Sequence, residues 1–261
     1  MLALKCRREG FLRTAVGEEV LMEGTSELLA SDIEALRGPG SKVQLVELVV
    51  FLFLIAPSSA LSFFAVKQGN LSFVLVAVAT ILRDLGLVGL VLYFLWRNRE
   101  RVARIGWDFR HRLQDVFIGL ALFFPTFIAA SGLERWLLSL GFKTPATPLP
   151  QLQAVGGIGD TILGVILVLI VAFAEETIFR GYLILRVGSL TSSSAAAVLI
   201  STAVFSLGHG YEGSAGIVTV AFLGLVFALV FLWRRSLVAA MTMHFLQDFL
   251  GIVLVPLLKL K

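Results

Sequence analysis

Ala172–Tyr182 reads AFAEETIFRGY and sets Glu175, Glu176 and Arg180 inside an apolar run that begins near Thr161. A charge at bilayer depth costs about 3 kcal/mol or more unless it is paired or wetted. Three such charges within two helical turns therefore need a common reason. Working outward, two further apolar runs each carry one histidine. His209 closes FSLGH, and His244 opens HFLQD, which ends on Asp248. Three polar clusters in three hydrophobic segments are most simply explained by one site shared between helices.

Composition decides which solvent surrounds these segments. With 57% hydrophobic residues and only 15% charged, and a mean hydropathy of +0.91, the chain is far more apolar than a soluble domain of 261 residues requires. It reads as an all-α polytopic transmembrane helical bundle. The formal charge of +4 would point to nucleic acid in a soluble chain, but here the arginines cluster between apolar runs and read as topology signals, so no nucleic-acid partner is expected. The single cysteine, Cys6, rules out an internal disulfide framework and a cysteine-based zinc site.

Residues 1–43 are polar and of mixed charge, and form a cytosolic, partly disordered segment in this reading, with a short helix expected over Glu27–Arg37 that stops at Gly38-Pro39-Gly40. Met22 offers a second start. Residues 44–261 form the transmembrane domain, with a core at about 115–258. Seven spans are expected at about 44–66, 71–96, 115–133, 160–187, 195–211, 215–233 and 236–258, or eight if one segment is re-entrant. Each is near the ~20 residues needed to cross the hydrocarbon, and in lipid each must be helical to satisfy its backbone. The longest connection, Glu134–Asp160, starts with an amphipathic ERWLLSL piece suited to the membrane surface and continues through Pro145, Pro148 and Pro150.

Arg97, Arg99, Arg101, Arg104, Arg110 and Arg112 place the loop between the second and third spans in the cytosol. Alternation then puts Arg186, Arg234, Arg235 and the N-terminus on that side, in an integral protein of the plasma or endoplasmic reticulum membrane. Helix rise places Glu175 roughly 18 Å, His209 roughly 21 Å, His244 roughly 12 Å and Asp248 roughly 18 Å from the cytosolic ends of their spans. All four fall near mid-bilayer. Glu176 and Arg180 share a face at i, i+4, as do His244 and Asp248, while Glu175 is turned about 100° from Glu176 and can point elsewhere.

EETIFR, FSLGH and HFLQD, in this order and on three hydrophobic spans, resemble the EExxxR, FxxxH and HxxxD/N signatures of the CAAX-protease and bacteriocin-processing family of intramembrane endopeptidases, also called the Abi family. The resemblance covers roughly residues 115–258. It implies a helical membrane enzyme that cleaves a peptide bond of a membrane-associated peptide or protein, prenylated or not, at the lipid bilayer. Carried over by position, Glu175 and His209 would activate water. His244 and Asp248 would stabilise the oxyanion or complete the polar site, and Glu176 and Arg180 would support it. Asp248 stands where some relatives have Asn, and an ionised carboxylate cannot donate to an oxyanion, so orienting His244 is its preferred role.

The chemistry also stands without the family. Amide hydrolysis needs a base for water, an acid for the leaving amine and donors for the oxyanion, which glutamate and imidazole supply. Glu175, His209 and His244 could alternatively hold Zn²⁺ with an open position, and this alternative stays open. Ser201 and Ser206 sit in no nucleophile turn and read as packing residues. Phe205 reads as packing or cavity wall, Gly181 as a point of close helix approach, and His111 as a solvated loop residue. Arg83 and Asp84, in the middle of the second span, read as a structural pair or as a contact to substrate. Two other classes compete with the enzyme: a non-catalytic immunity or sorting partner using the same cavity, and a transporter, for which no internal repeat is visible.

Overall fold

The computed structural model describes residues 39–68, 71–144, 153–154 and 157–259. Among them there are seven helices and no strand. They are α1 (Ser41–Gln68), α2 (Phe73–Arg97), α3 (Arg112–Ser139), α4 (Ile158–Thr191), α5 (Ser194–Gly208), α6 (Gly213–Arg234) and α7, which begins at Val238 and ends at Lys259. Each expected span falls on one of them. Five, namely α2, α3, α4, α6 and α7, are long and apolar enough to cross a membrane. Their exposed faces carry large apolar side chains such as Leu82, Trp96, Phe117, Ile128 and Trp233, which are suited to lipid. The chain is an integral membrane protein.

The 34-residue α4 is the axis of the bundle. It packs against α1, α2, α5, α6 and α7, while α3 lies outside against α6 and α7. Burial follows this order, with 56% of the most apolar window of α4 and of α6 buried against 22% in α2 and 17% in α3. Small residues set the closest approaches. A Cβ on Gly181 would lie 2.6 Å from the carbonyl oxygen of Ile105, and one on Gly119 would lie 2.7 Å from that of Ala239. The expectation for Gly181 is thus met by a backbone turn pressed against it, here the 3₁₀ turn Val102–Ile105.

Three local features depart from the sequence reading. ERWLLSL is not a separate surface piece, because α3 runs unbroken to Ser139 and takes it up. With so apolar a run, continuing the helix satisfies each backbone group at no desolvation cost. Second, α4 is not uniformly α-helical, since Glu176–Leu183 forms a π-helical stretch inside it. Third, α5 stops at Gly208, so His209 caps the helix rather than lying within it. At 15 residues, α5 is about 22 Å long, short of the ~30 Å hydrocarbon, and its C-terminal end therefore sits at depth. The expected helix over Glu27–Arg37, Met22, and Pro145, Pro148 and Pro150 lie outside the described residues.

The arginines expected on one side do gather at one end of the bundle, and several are also structural. Glu47 accepts from Arg97 at 2.7 Å and Asn98 at 2.6 Å and lies 3.1 Å from Arg186. Glu100 accepts from Arg104 at 2.6 Å and from Arg186 at 2.5 Å, and Arg234 donates to Asp115 at 2.7 Å. Reading them as topology signals alone missed these carboxylates. In the loop of this end, Arg110 also holds the Asp108 carboxyl down at about 2 by donating to it. At the opposite end, the backbone of Lys143 donates to the Ser214 hydroxyl at 3.0 Å and accepts from Ala215 at 3.0 Å. Gly213 beside it adopts φ +81, and a Cβ there would lie 2.5 Å from the Lys143 carbonyl oxygen.

Candidate active site

The π-helical stretch begins at the second of the two glutamates, and the helical turn of about 100° between neighbours points the pair in different directions. Glu176 is fully buried and its Oε1 accepts from Arg180 Nη1 at 2.9 Å and from His244 Nδ1 at 2.9 Å. Glu175 instead lines a cavity of about 830 Å³, with His209, His244 and Asp248. Such widened turns recur at functional sites because they re-aim side chains within an otherwise regular helix. The stretch is held from outside: the Ser201 hydroxyl donates to the Phe179 carbonyl at 2.7 Å, and the Trp107 indole donates to the Thr177 hydroxyl at 3.1 Å. Ser201 and Ser206 both spend their hydroxyls on backbone carbonyls, as packing serines do.

Around Glu175 the distances are those of a site that takes a guest. Its Oε2 lies 3.8 Å from His244 Nε2, and its Oε1 lies 3.9 Å from Arg83 Nη2. Both are too long for direct hydrogen bonds and short enough for one polar atom to bridge. Oε2 is also buried without a hydrogen-bond partner among the described residues. Glu176 Oε2 is in the same condition, so what sets Glu175 apart is that its side chain lines the cavity. Asp248 Oδ2 stands 3.4 Å from His244 Nε2. The carboxylate in hydrogen-bond contact with His244 is therefore Glu176 at Nδ1, while Asp248 faces the cavity side of the ring. The i, i+4 spacing brought Asp248 near the imidazole but could not show that Glu176, from another helix, reaches the opposite nitrogen.

His209 is positioned by the end of α5. Its Nδ1 lies 3.0 Å from the Phe205 carbonyl oxygen. A carbonyl only accepts, so Nδ1 carries the proton and the neutral ring keeps its lone pair on Nε2. Phe205 is more than wall. The Arg180 guanidinium sits 4.1 Å over its ring, and His209 and His244 pack on it with centroid separations of 4.7 and 6.0 Å. Gly224 makes room for this stack, since a Cβ there would lie 3.0 Å from Phe205 Cδ1 and 3.1 Å from Arg180 Nη2.

Arg83 and Asp84 join the same cavity. Asp84 Oδ1 accepts from Arg83 Nε at 2.8 Å and lies 2.8 Å from Nη2, so the two pair with each other, and Arg83 also turns toward Glu175. The structure thus shows the pairing that one sequence reading expected, and sets the pair on the cavity wall. Glu134, Tyr211 and Glu212, which the sequence reading left out, line the cavity too. Their signal was their place at the far ends of α3 and α5, level with His209. Among the described residues, no three His, Cys, Asp or Glu side chains gather closely enough to hold a metal ion. The set Glu175, His209 and His244 therefore does not fit the Zn²⁺ alternative in this arrangement.

The cavity wall is drawn from the N-terminal half of α2 (Leu75, Ala79), the end of α5, the start of α6 (Gly216, Thr219) and the later part of α7 (Gln247, Gly251). It runs from mid-bundle toward the end opposite the arginines. Against known proteins, residues 157–250 match the family model described as Rce1-like, type II CAAX prenyl endopeptidase. No curated protein and no solved structure matches the chain. The matched stretch holds all three motifs and leaves α1 to α3 outside it. It is residues 157–250, which carry Glu175, His209, His244 and Asp248, that are similar to the type II CAAX prenyl endopeptidases.

Proposed function

We propose that the chain is an intramembrane endopeptidase that hydrolyses a peptide bond of a membrane-associated substrate. The observation that carries this is the division of labour in the glutamate pair: Glu176 is fully buried with its Oε1 engaged by Arg180 and His244, while Glu175 lines the cavity beside His209, His244 and Asp248. Glu175 takes a proton from water, with His209 Nε2 as a second acceptor lining the same cavity. The water oxygen bonds to the scissile carbonyl carbon and the carbonyl electrons move to its oxygen. His244, held through Nδ1 by Glu176, donates to that oxygen from Nε2 in its imidazolium form. Collapse of the intermediate breaks the C–N bond, and Glu175 returns the proton to the leaving amine. No step requires a metal.

The arginine end faces the cytosol in this reading, with the N-terminus, so the cavity opens toward the other leaflet. The substrate is a peptide held at the bilayer, prenylated or carried by its own apolar segment. Mass spectrometry of peptide termini in membranes from cells carrying wild type or Glu175→Ala, at matched expression and folding, tests the proposal. Termini that depend on Glu175 are expected and define the substrate. Identical sets of termini in the native host would overturn catalysis and leave a binding role for the cavity.

A further inference from the structure

We infer that Arg83, a residue of α2 outside the family-matched segment, donates to the tetrahedral oxyanion alongside His244, with Asp84 as its positioning residue. This rests on the endopeptidase reading above. A guanidinium in the middle of an apolar span needs a reason, and pairing alone does not supply it. Asp84 is 1% exposed and takes up Nε and one edge of Nη2 through a single oxygen, which fixes the plane of the fork. The remaining N–H groups have no hydrogen-bond partner among the described residues, and the side chain stays 30% exposed in the cavity wall.

Distance selects the role. Arg83 Nη2 lies 3.9 Å from Glu175 Oε1. A water held by Glu175 ends bonded to the same carbon that bears the oxyanion, so a donor within about 3 Å of that oxygen must stand a few ångströms from the base. Arg83 does. In a CAAX peptide cut after its cysteine, the C-terminal carboxylate lies three extended residues, about 10 Å, beyond the bond, too far to be the partner of Arg83. The site also has a chemical need for the donor, because Asp248, the other polar group beside His244 Nε2, only accepts when ionised. Arg83 supplies the missing N–H groups with a charge that no change of pH in the working range removes. The bonds made and broken stay those of the hydrolysis above, and Arg83 neither gains nor loses a proton.

The test uses the full chain in liposomes and a farnesylated CAAX peptide with fluorophore and quencher on either side of the bond after the farnesylcysteine. R83Q is expected to lower kcat by about 10²–10³-fold with KM held within about threefold. R83K, which keeps the charge and loses the fork, is expected to recover part of the loss. The fall is expected across the whole pH profile of kcat, whereas a residue that only keeps Glu175 ionised would move the acidic limb and spare the plateau. If R83Q does not fold, R83K decides on the same criteria. An unchanged kcat, a loss confined to KM, or a shifted limb with an intact plateau each overturn the inference while the endopeptidase reading stands. A wild type that leaves the probe whole removes the prenyl-peptidase form of that reading, and R83Q is then scored on the Glu175-dependent termini in membranes, where an unchanged set formed at an unchanged rate overturns the inference.

Discussion

Glu176→Ala is the perturbation that asks most of the structure. Its carboxylate is fully buried and accepts at 2.9 Å from both Arg180 and His244. Arg180 is itself 1% exposed, and its other contacts are the faces of Phe205 at 4.1 Å and Phe227 at 5.5 Å. Removing Glu176 leaves a buried guanidinium with aromatic rings for company, and such a desolvated contact returns about 2 kcal/mol. Breaking a buried ion pair by deleting one partner costs about 3–5 kcal/mol. The expected loss lies in that range. Glu176→Leu combined with Arg180→Met removes both charges, and is expected to recover most of the loss, with a coupling energy of about 2–3 kcal/mol in the double-mutant cycle. Unfolding of Glu176→Leu, Arg180→Met and the double variant by a denaturing detergent titrated into mixed micelles, followed by tryptophan fluorescence, gives the three differences. The double variant, though folded, is expected to hydrolyse substrate at least tenfold more slowly, because His244 has lost the group that holds its Nδ1. A Glu176→Ala loss below about 1 kcal/mol, or full activity in the double variant, would refute the account of Glu176.

Ser201→Ala and Ser206→Ala should each retain cleavage within about tenfold, since their hydroxyls serve backbone carbonyls; Ser201→Ala should cost about 1 kcal/mol for the lost bond to Phe179, read from the same unfolding titration. Gly181→Val should lower stability by about 1–3 kcal/mol or more in that assay, because its Cβ would lie 2.6 Å from the Ile105 carbonyl oxygen and backbone must move. Incubation with a strong chelator should leave cleavage within about twofold of the untreated protein, as no three donors gather around a metal position among the described residues; loss of activity restored by added Zn²⁺ would refute this.

The membrane-helical fold and most of the site were legible before any coordinates. Apolar length sets the number of helices, because only a helix satisfies its own backbone in lipid. Charges stranded in those helices mark the site because nothing but function or pairing offsets their cost. Thus Glu175, His209, His244, Asp248 and the Glu176–Arg180 pair were singled out as candidates by charge, depth and spacing, and the family resemblance supplied the roles proposed for them. What spacing could not reach is contact between helices. The reach of Glu176 to the far nitrogen of His244, the turn of Arg83 toward Glu175, and the stacking of Arg180 and both histidines on Phe205 depend on how α2, α4, α5 and α7 pack. The π-helical stretch that follows Glu175 is likewise held by Ser201 and Trp107 from other elements. Local sequence determined which residues are too polar for lipid, since that is a property of each side chain against its solvent. Only the tertiary structure decided which of them meet, since a contact across helices is set by packing and leaves no period in the chain.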